Sequence, residues 1–398
     1  MSLPATLPLP AWAEAPAGQA LLQALAADTG VTRLVGGAVR DALLGLAGGD
    51  IDLATRLAPR EVMARVQAAG LKAVPTGLAH GTVTAVGEGL TAEITTLRRD
   101  VQSFGRHAEI AFTDDWCEDA MRRDFTINAL YARLPGGGID DYTGGIADLA
   151  ARRVRFIGDP LQRIAEDHLR ILRFFRFSAR FAAVIDADGL AACTARANDL
   201  MALSRERIAM ELRLLIGLAD PEPMLAQMLA AGIFAPVLPE ITCERLPVLA
   251  RTIAAEAAAG IAPAWERRLA SLLPPGDGRV AGEVGARLKL SNVQRQRLAA
   301  AVLPPPAPPH VAAAWEDGAE AVTDRLLIAG DADAARPLAG WQRPRLPATG
   351  KDIIARGVAP GPEVARRLGL FERAWVAAGF PDDAAQLAEM LDAAAQGM

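Results

Sequence analysis

An α+β head followed by an all-helical remainder is the architecture this 398-residue sequence predicts. Three observations lead there. From Val31 to about Phe156, short strand-like apolar runs alternate with helix-like stretches. After Asp159-Pro160, a cap followed by proline at the first helical position, the pattern turns helical and stays so to the end. A hydrophobic share of 51% with 22% charged residues is that of a globular chain long enough for two or more domains.

Residues 1–28 read as a proline-rich lead and the helix AGQALLQALAADTG. The lead has no basic n-region, so no secretory signal is expected. No apolar run reaches the roughly 18 residues that span a bilayer, so no membrane is expected as a partner. Cys117, Cys193 and Cys243 are far apart and odd in number, which fits a reducing cytoplasm without a disulfide frame or zinc site.

Residues 29–156 form the head. Its strand candidates are TRLVGG, DIDLAT, GTVTAVG and AEITTLR, and APREVMARVQAAG is a helix with Pro59 near its start and Gly70 past its end. Residues 157–220 are a first helical segment and 221–398 a second, with the stiff LPPPAPPH near Pro304–Pro309 as a connector. The net charge of −5 argues against a general nucleic-acid coat. Yet from Ala151 to Leu215 there are twelve Arg against eight Asp plus Glu, a locally basic stretch.

The most informative segment is Arg33–Thr55, RLVGGAVRDALLGLAGGDIDLAT. Residues two apart on a strand point to one face, which places Asp50 and Asp52 side by side, roughly 7 Å apart along the backbone. Adjacent hard oxygen ligands suit magnesium, which is usually held by one or two carboxylates plus substrate phosphates. The turn at Gly36 and Gly37 lets the backbone approach a phosphate, with a helix N-terminus carrying Arg40 and Asp41 behind it. Metal carboxylates beside a phosphate cradle point to phosphoryl or nucleotidyl transfer. If both acids bind metal, one ion activates an attacking 3′-hydroxyl and another neutralises the leaving pyrophosphate.

Two more segments carry chemistry. In Arg122-Arg123-Asp124-Phe125-Thr126-Ile127-Asn128, two arginines and an acid open a predicted helix, suited to clamping a triphosphate through planar guanidinium forks while Asp124 takes a ribose hydroxyl. In PLQRIAEDHLRILRFFRFSARF, read as one helix, Glu166, Asp167, Arg170, Arg173 and Arg176 recur at spacings of three and four.

The order Gly36-Gly37-x-Val39-Arg40-Asp41, DxD, RRDFTINAL, then EDxxRxxRxxRF resembles the class II tRNA nucleotidyltransferase (CCA-adding) and bacterial poly(A) polymerase family. The resemblance is dense from Arg33 to about Leu215. It implies a nucleotidyltransferase head, a base-reading neck over 157–220 and a tRNA-binding body and tail over 221–398. It makes Glu93 a candidate additional metal ligand, Arg123 the nucleotide contact, and Asp167 with Arg170 an amino-acid template. It also matches Asp141–Leu149 to a turn joining head and neck, and SRERIAMELRLL to a later structural element. The loop Arg98–His107 stands where the family has a segment associated with switching from C to A addition. Here the chain reads Phe104-Gly105-Arg106-His107, without the family's usual acid before the glycine.

The template follows from hydrogen-bond chemistry. Cytosine and adenine both present an exocyclic amine beside a ring-nitrogen acceptor, to which Asp167 accepts and Arg170 donates. Uracil and guanine put a carbonyl oxygen opposite a carboxylate that can only accept, leaving buried groups unpaired. Arg173 and Arg176 then lie deeper, near phosphate or framework acids. The expected activity is addition of CCA to the tRNA 3′ end from CTP and ATP with magnesium. The same motifs serve a poly(A) polymerase or a split CC- or A-adding enzyme, and a non-catalytic RNA-binding protein is the third reading.

Overall fold

The structure is a computed structural model that describes residues 3–4, 6–46, 49–100 and 110–397. The expectation for the switching loop therefore falls, from residue 101 to His107, outside the described residues. The chain divides into two compact units, Met1–Ala202 and Leu203–Met398.

The first unit is built on a seven-stranded mixed sheet. Its strands are β1 (Thr32–Val35), β2 (Ile51–Thr55), β3 (Lys72–Gly77), β4 (Thr82–Gly87), β5 (Leu90–Thr96), β8 (Leu130–Arg133) and β9 (Ile139–Asp141), in the order β3-β4-β5-β2-β1-β8-β9. The short strands β6 (Arg98–Asp100) and β7 (Ile110–Phe112) pair separately. β2 and β5 run parallel, with Asp52 opposite Glu93, while β1 pairs antiparallel to both β2 and β8. Along β5, Leu90, Ala92, Ile94 and Thr96 are buried while Thr91 and Glu93 are exposed, the two-residue alternation of a sheet with one covered face.

All four expected strands are present, and the helix Pro59–Ala68 begins on its proline. Two local readings are corrected. Arg122-Arg123-Asp124 does not open a helix: Arg122 caps the end of the helix Trp116–Met121, and a single 3₁₀ turn, Thr126–Asn128, leads into β8. β8 lies between β1 and the edge strand β9 with Leu130, Tyr131 and Ala132 all buried, so its sequence carries no strand alternation. Nor is PLQRIAEDHLRILRFFRFSARF one helix. Asp159 caps Pro160–Glu166 through the Leu161 N–H (2.9 Å), but Asp167 is extended (φ −150°, ψ 105°), and a second helix spans Arg170–Phe181.

That second helix is seated by aromatic packing. Phe174 stacks on Phe156 (centroids 5.3 Å apart), and Phe177 meets Phe125 edge-on (5.5 Å). Each fully buried Phe contributes about 1.5–3 kcal/mol, so this face fixes the helix against the RRDFTIN segment. Asp141 braces the same segment from the other side, its carboxylate accepting from the backbone N–H groups of Thr143, Gly144, Gly145 and Ile146. Gly145 has no room for a side chain, because a Cβ there would collide with the Thr126 carbonyl.

The second unit is helical throughout, from Arg205–Ile216 to Ala384–Gln396. The LPPPAPPH stretch joins the helices Asn292–Ala301 and His310–Asp317. The interior contains an ion network. Arg267 donates to Glu256 and Asp324 (2.7 Å each), Arg268 to Glu256 (2.9 Å) and to the carbonyl of Ile216 (3.0 Å), and Arg297 to Asp324 (2.8 Å). Among the described residues, no helix is long and apolar enough to cross a membrane.

Candidate active site

One cleft of about 550 Å³ in the first unit gathers nearly every residue singled out from the sequence. Gly36, Gly37, Arg40, Asp50, Asp52, Glu93, Arg123, Asp124, Asp167, Arg170 and Arg173 all line it. Arg122, the other arginine of the expected triphosphate clamp, lines it too, as do Arg98, Asn128 and Phe177, to which no individual role was assigned from the sequence. Arg176 does not; its guanidinium lies over the Phe177 ring, 4.4 Å from the centroid.

Three of the cleft acids stand on or beside neighbouring strands. Asp50 immediately precedes β2, Asp52 is on it, and Glu93 is the neighbour of Asp52 across the parallel pair. Burial raises Asp52, and the charges of Glu93 and Asp50 raise it further, to about 6, against the opposing pull of Arg123 and Arg40. Three hard oxygen donors that repel one another fit a divalent cation. They do not close into a cage: among the described residues, no three acidic, histidine or cysteine groups are gathered in a metal-holding cluster. Glu93, expected as a third ligand, stands opposite Asp52 on the exposed face of β5.

Four of the six cleft arginines come from the segment after the helix Trp116–Met121 and from the helix Arg170–Phe181. Behind the cleft, the buried carboxylate of Asp119 accepts from Arg122 Nε (3.0 Å), Arg123 Nη2 (3.0 Å), the Tyr131 hydroxyl (2.7 Å) and the Arg98 backbone N–H (3.1 Å). Burial works to raise Asp119, but Arg123 and Arg122 outweigh it and hold the group below the usual carboxylate range. Asp124, expected to meet a ribose, is paired with Arg173 (Nε 2.7 Å, Nη2 2.6 Å) and accepts from Asn128. Arg40 is buried, bonded to Asp41 (2.8 Å) and Asn128, and stacked over Phe181 at 4.3 Å.

The helix break places Asp167 and Arg170 at the cleft edge. Asp167 Oδ1 accepts from the Leu169 N–H (3.1 Å). Arg170 donates to the carbonyls of Arg163 (2.8 Å) and Arg122 (3.0 Å) and to Glu166 (2.5 Å), so three of its five N–H donors fix its orientation. Gly36 (φ 66°, ψ −124°) makes the turn into the helix Gly37–Leu43, and a Cβ there would lie 3.4 Å from Arg123 Nη1.

Residues 32–155 match the poly A polymerase head domain family, and residues 184–244 the family described as the probable RNA and SrmB-binding site of polymerase A. The mitochondrial CCA tRNA nucleotidyltransferase 1 of Mus musculus is 31% identical over 386 residues, covering 91% of this chain and 86% of its own. The chain belongs to the CCA-adding tRNA nucleotidyltransferase family. The CCA-adding enzyme of Levilactobacillus brevis is likewise 31% identical, over 88% of this chain and 90% of its own. Among solved structures, the Bacillus stearothermophilus CCA-adding enzyme in complex with CTP superposes with a TM-score of 0.74 at 27% identity, covering 95% of this chain and 98% of that one. In this chain the matched head is followed by helices. The expected membership and fold both hold, and the chain is a tRNA nucleotidyltransferase.

Proposed function

We propose that this cleft adds CCA to the 3′ end of tRNA from CTP and ATP. The observation that carries the reading is the opposition, in one cleft, of an acidic strand pair and an arginine wall. Asp50 and Asp52 would hold magnesium, with Glu93 alongside. Bound there, divalent ions supply activation of the 3′-hydroxyl and neutralisation of the triphosphate. The chain's own residues position the rest. Arg123, with Arg122 and Arg98 near it, binds the phosphates, and the Gly36 turn lets them approach the backbone. The 3′-hydroxyl gives up its proton to solvent as its oxygen bonds to the α-phosphorus, the bond from that phosphorus to the bridging β-phosphate oxygen breaks, and pyrophosphate leaves.

Asp167 and the remaining donors of Arg170 read the base edge, accepting C and A and rejecting U and G. In this reading, residues 157–220 serve as neck and 221–398 as the tRNA-binding body and tail. The compartment is the cytoplasm, where tRNA and nucleotides are at hand.

The test is incubation with tRNA lacking its 3′ end, magnesium and each labelled nucleotide in turn. Addition limited to C, C and A is expected. Long A tails mean a poly(A) polymerase, C alone or A alone a split-function enzyme. No incorporation leaves an RNA-binding protein and ends the catalytic reading.

A further inference from the structure

Asp119 does not line the cleft, yet its carboxylate, 1% exposed, collects two of the arginines that do. The contact with Arg123 is side-on. Nε (3.2 Å) and Nη2 (3.0 Å) both donate to Asp119 Oδ2, and the Tyr131 hydroxyl, itself donating to that oxygen at 2.7 Å, lies 3.1 Å from Nε. A guanidinium is planar, so engaging the Nε–Nη2 edge turns Nη1 the other way. Nη1 faces Gly36, close enough that a Cβ there would touch it at 3.4 Å. The ring of Tyr131 backs the guanidinium, its centroid 5.3 Å from Cζ.

The charges require this arrangement. Arg122 and Arg123 are adjacent in sequence and share one carboxylate, Arg122 on Oδ1 and Arg123 on Oδ2. Without Asp119 the two cations repel and the long side chains regain their rotamer freedom, which a ligand must then remove. With it, one positive charge remains in surplus at a fixed place.

Resting on the reading of the cleft as a nucleotide site, we infer that Asp119 and Tyr131 are a positioning pair that aims Arg123 Nη1 across the Gly36-Gly37 turn, at the triphosphate of the incoming nucleotide. The pair touches no substrate. It acts through Arg123, on the part that CTP and ATP share, so both nucleotides depend on it equally and the choice between bases does not.

The experiment is steady-state kinetics of the full chain on tRNA ending in CC and on tRNA lacking CCA, with inorganic pyrophosphate as inhibitor. Asp119→Asn removes the charge at nearly constant volume. It should raise KM for ATP and CTP by about tenfold or more, the scale of one misdirected charge-assisted hydrogen bond. Pyrophosphate inhibition should weaken by a similar factor, with KM for tRNA and discrimination against UTP unchanged. Tyr131→Phe keeps the packing of this ring against Trp116 (5.2 Å) and should shift the same constants in the same direction, less strongly. Should Asp119→Asn fail to fold, the constants of Tyr131→Phe decide alone. A loss confined to kcat or to thermal stability, with nucleotide KM and pyrophosphate inhibition unmoved, overturns the inference. If the unaltered protein incorporates no nucleotide, the reading of the cleft fails and takes this inference with it.

Discussion

Asp52 and Glu93 stand opposite one another on the parallel strands β2 and β5, so their carboxylates share one row across the sheet. Paired like charges on neighbouring strands destabilise a sheet, and together with burial they push Asp52 from 3.8 to about 6. The folded state therefore holds a proton on Asp52 that the unfolded chain has already released between about pH 4 and 6, and stability from this group falls as pH rises through that window. In EDTA at pH 7, Asp52→Asn should be more stable than the parent by about 1–3 kcal/mol. Magnesium should erase the gap by binding the parent alone. Thermal melts with and without the ion measure both, and an Asn variant that gains nothing in EDTA contradicts the electrostatic account. The same variant should be inactive in nucleotide addition.

Gly36 occupies backbone space that a side chain enters at a cost of about 1–3 kcal/mol. Gly36→Ala also brings a methyl group against Arg123 Nη1 and the Asn128 carbonyl, 3.4 Å from each. It should lose stability on that scale and bind ATP and CTP more weakly. Urea titration and nucleotide KM report the two effects separately, and normal nucleotide affinity would separate the turn from the phosphates.

Asp167 sits in extended backbone between two helices, so replacing it breaks no helical hydrogen-bond ladder. Asp167→Ala should keep the fold and admit UTP and GTP at rates approaching those of CTP and ATP. Competition among the four labelled nucleotides decides; retained discrimination removes the carboxylate as template.

Arg268 in the second unit is buried against Glu256 and two backbone carbonyls. Removing one partner of a buried pair strands the other, and Arg268→Ala should cost about 3–5 kcal/mol. Chemical denaturation measures the loss, while base selection should stay intact because this network lies in the other unit.

The readable part of the fold was whatever carried periodicity or punctuation. Pro59 and Asp159-Pro160 marked helix starts because proline lacks an N–H that would go unpaired in the first turn, and the aspartate carboxylate accepts from another that would. β8 was unreadable because a strand buried on both faces looks like any apolar run. The break at Asp167 was hidden by polar spacings that persist across it. In the site, charged residues with motif spacing came together as expected, with Arg176 the exception. The buried Asp119 was missed, and Asn128, Arg98 and Phe177, though inside the segments singled out, were given no role of their own, since their importance comes from neighbours supplied by other strands and helices. Only the acid three residues before Arg122 offered a signal.

Among the described residues, the cleft lining contains no lysine, cysteine or histidine; its charge rests on guanidinium and carboxylate groups alone. Thiol alkylation, peroxide and amine acylation therefore find nothing there to modify. Chemical footprinting of this centre has to proceed through dicarbonyls that condense with arginine or carbodiimides that activate acids, and protection by CTP or ATP against the former would trace the phosphate-facing wall directly.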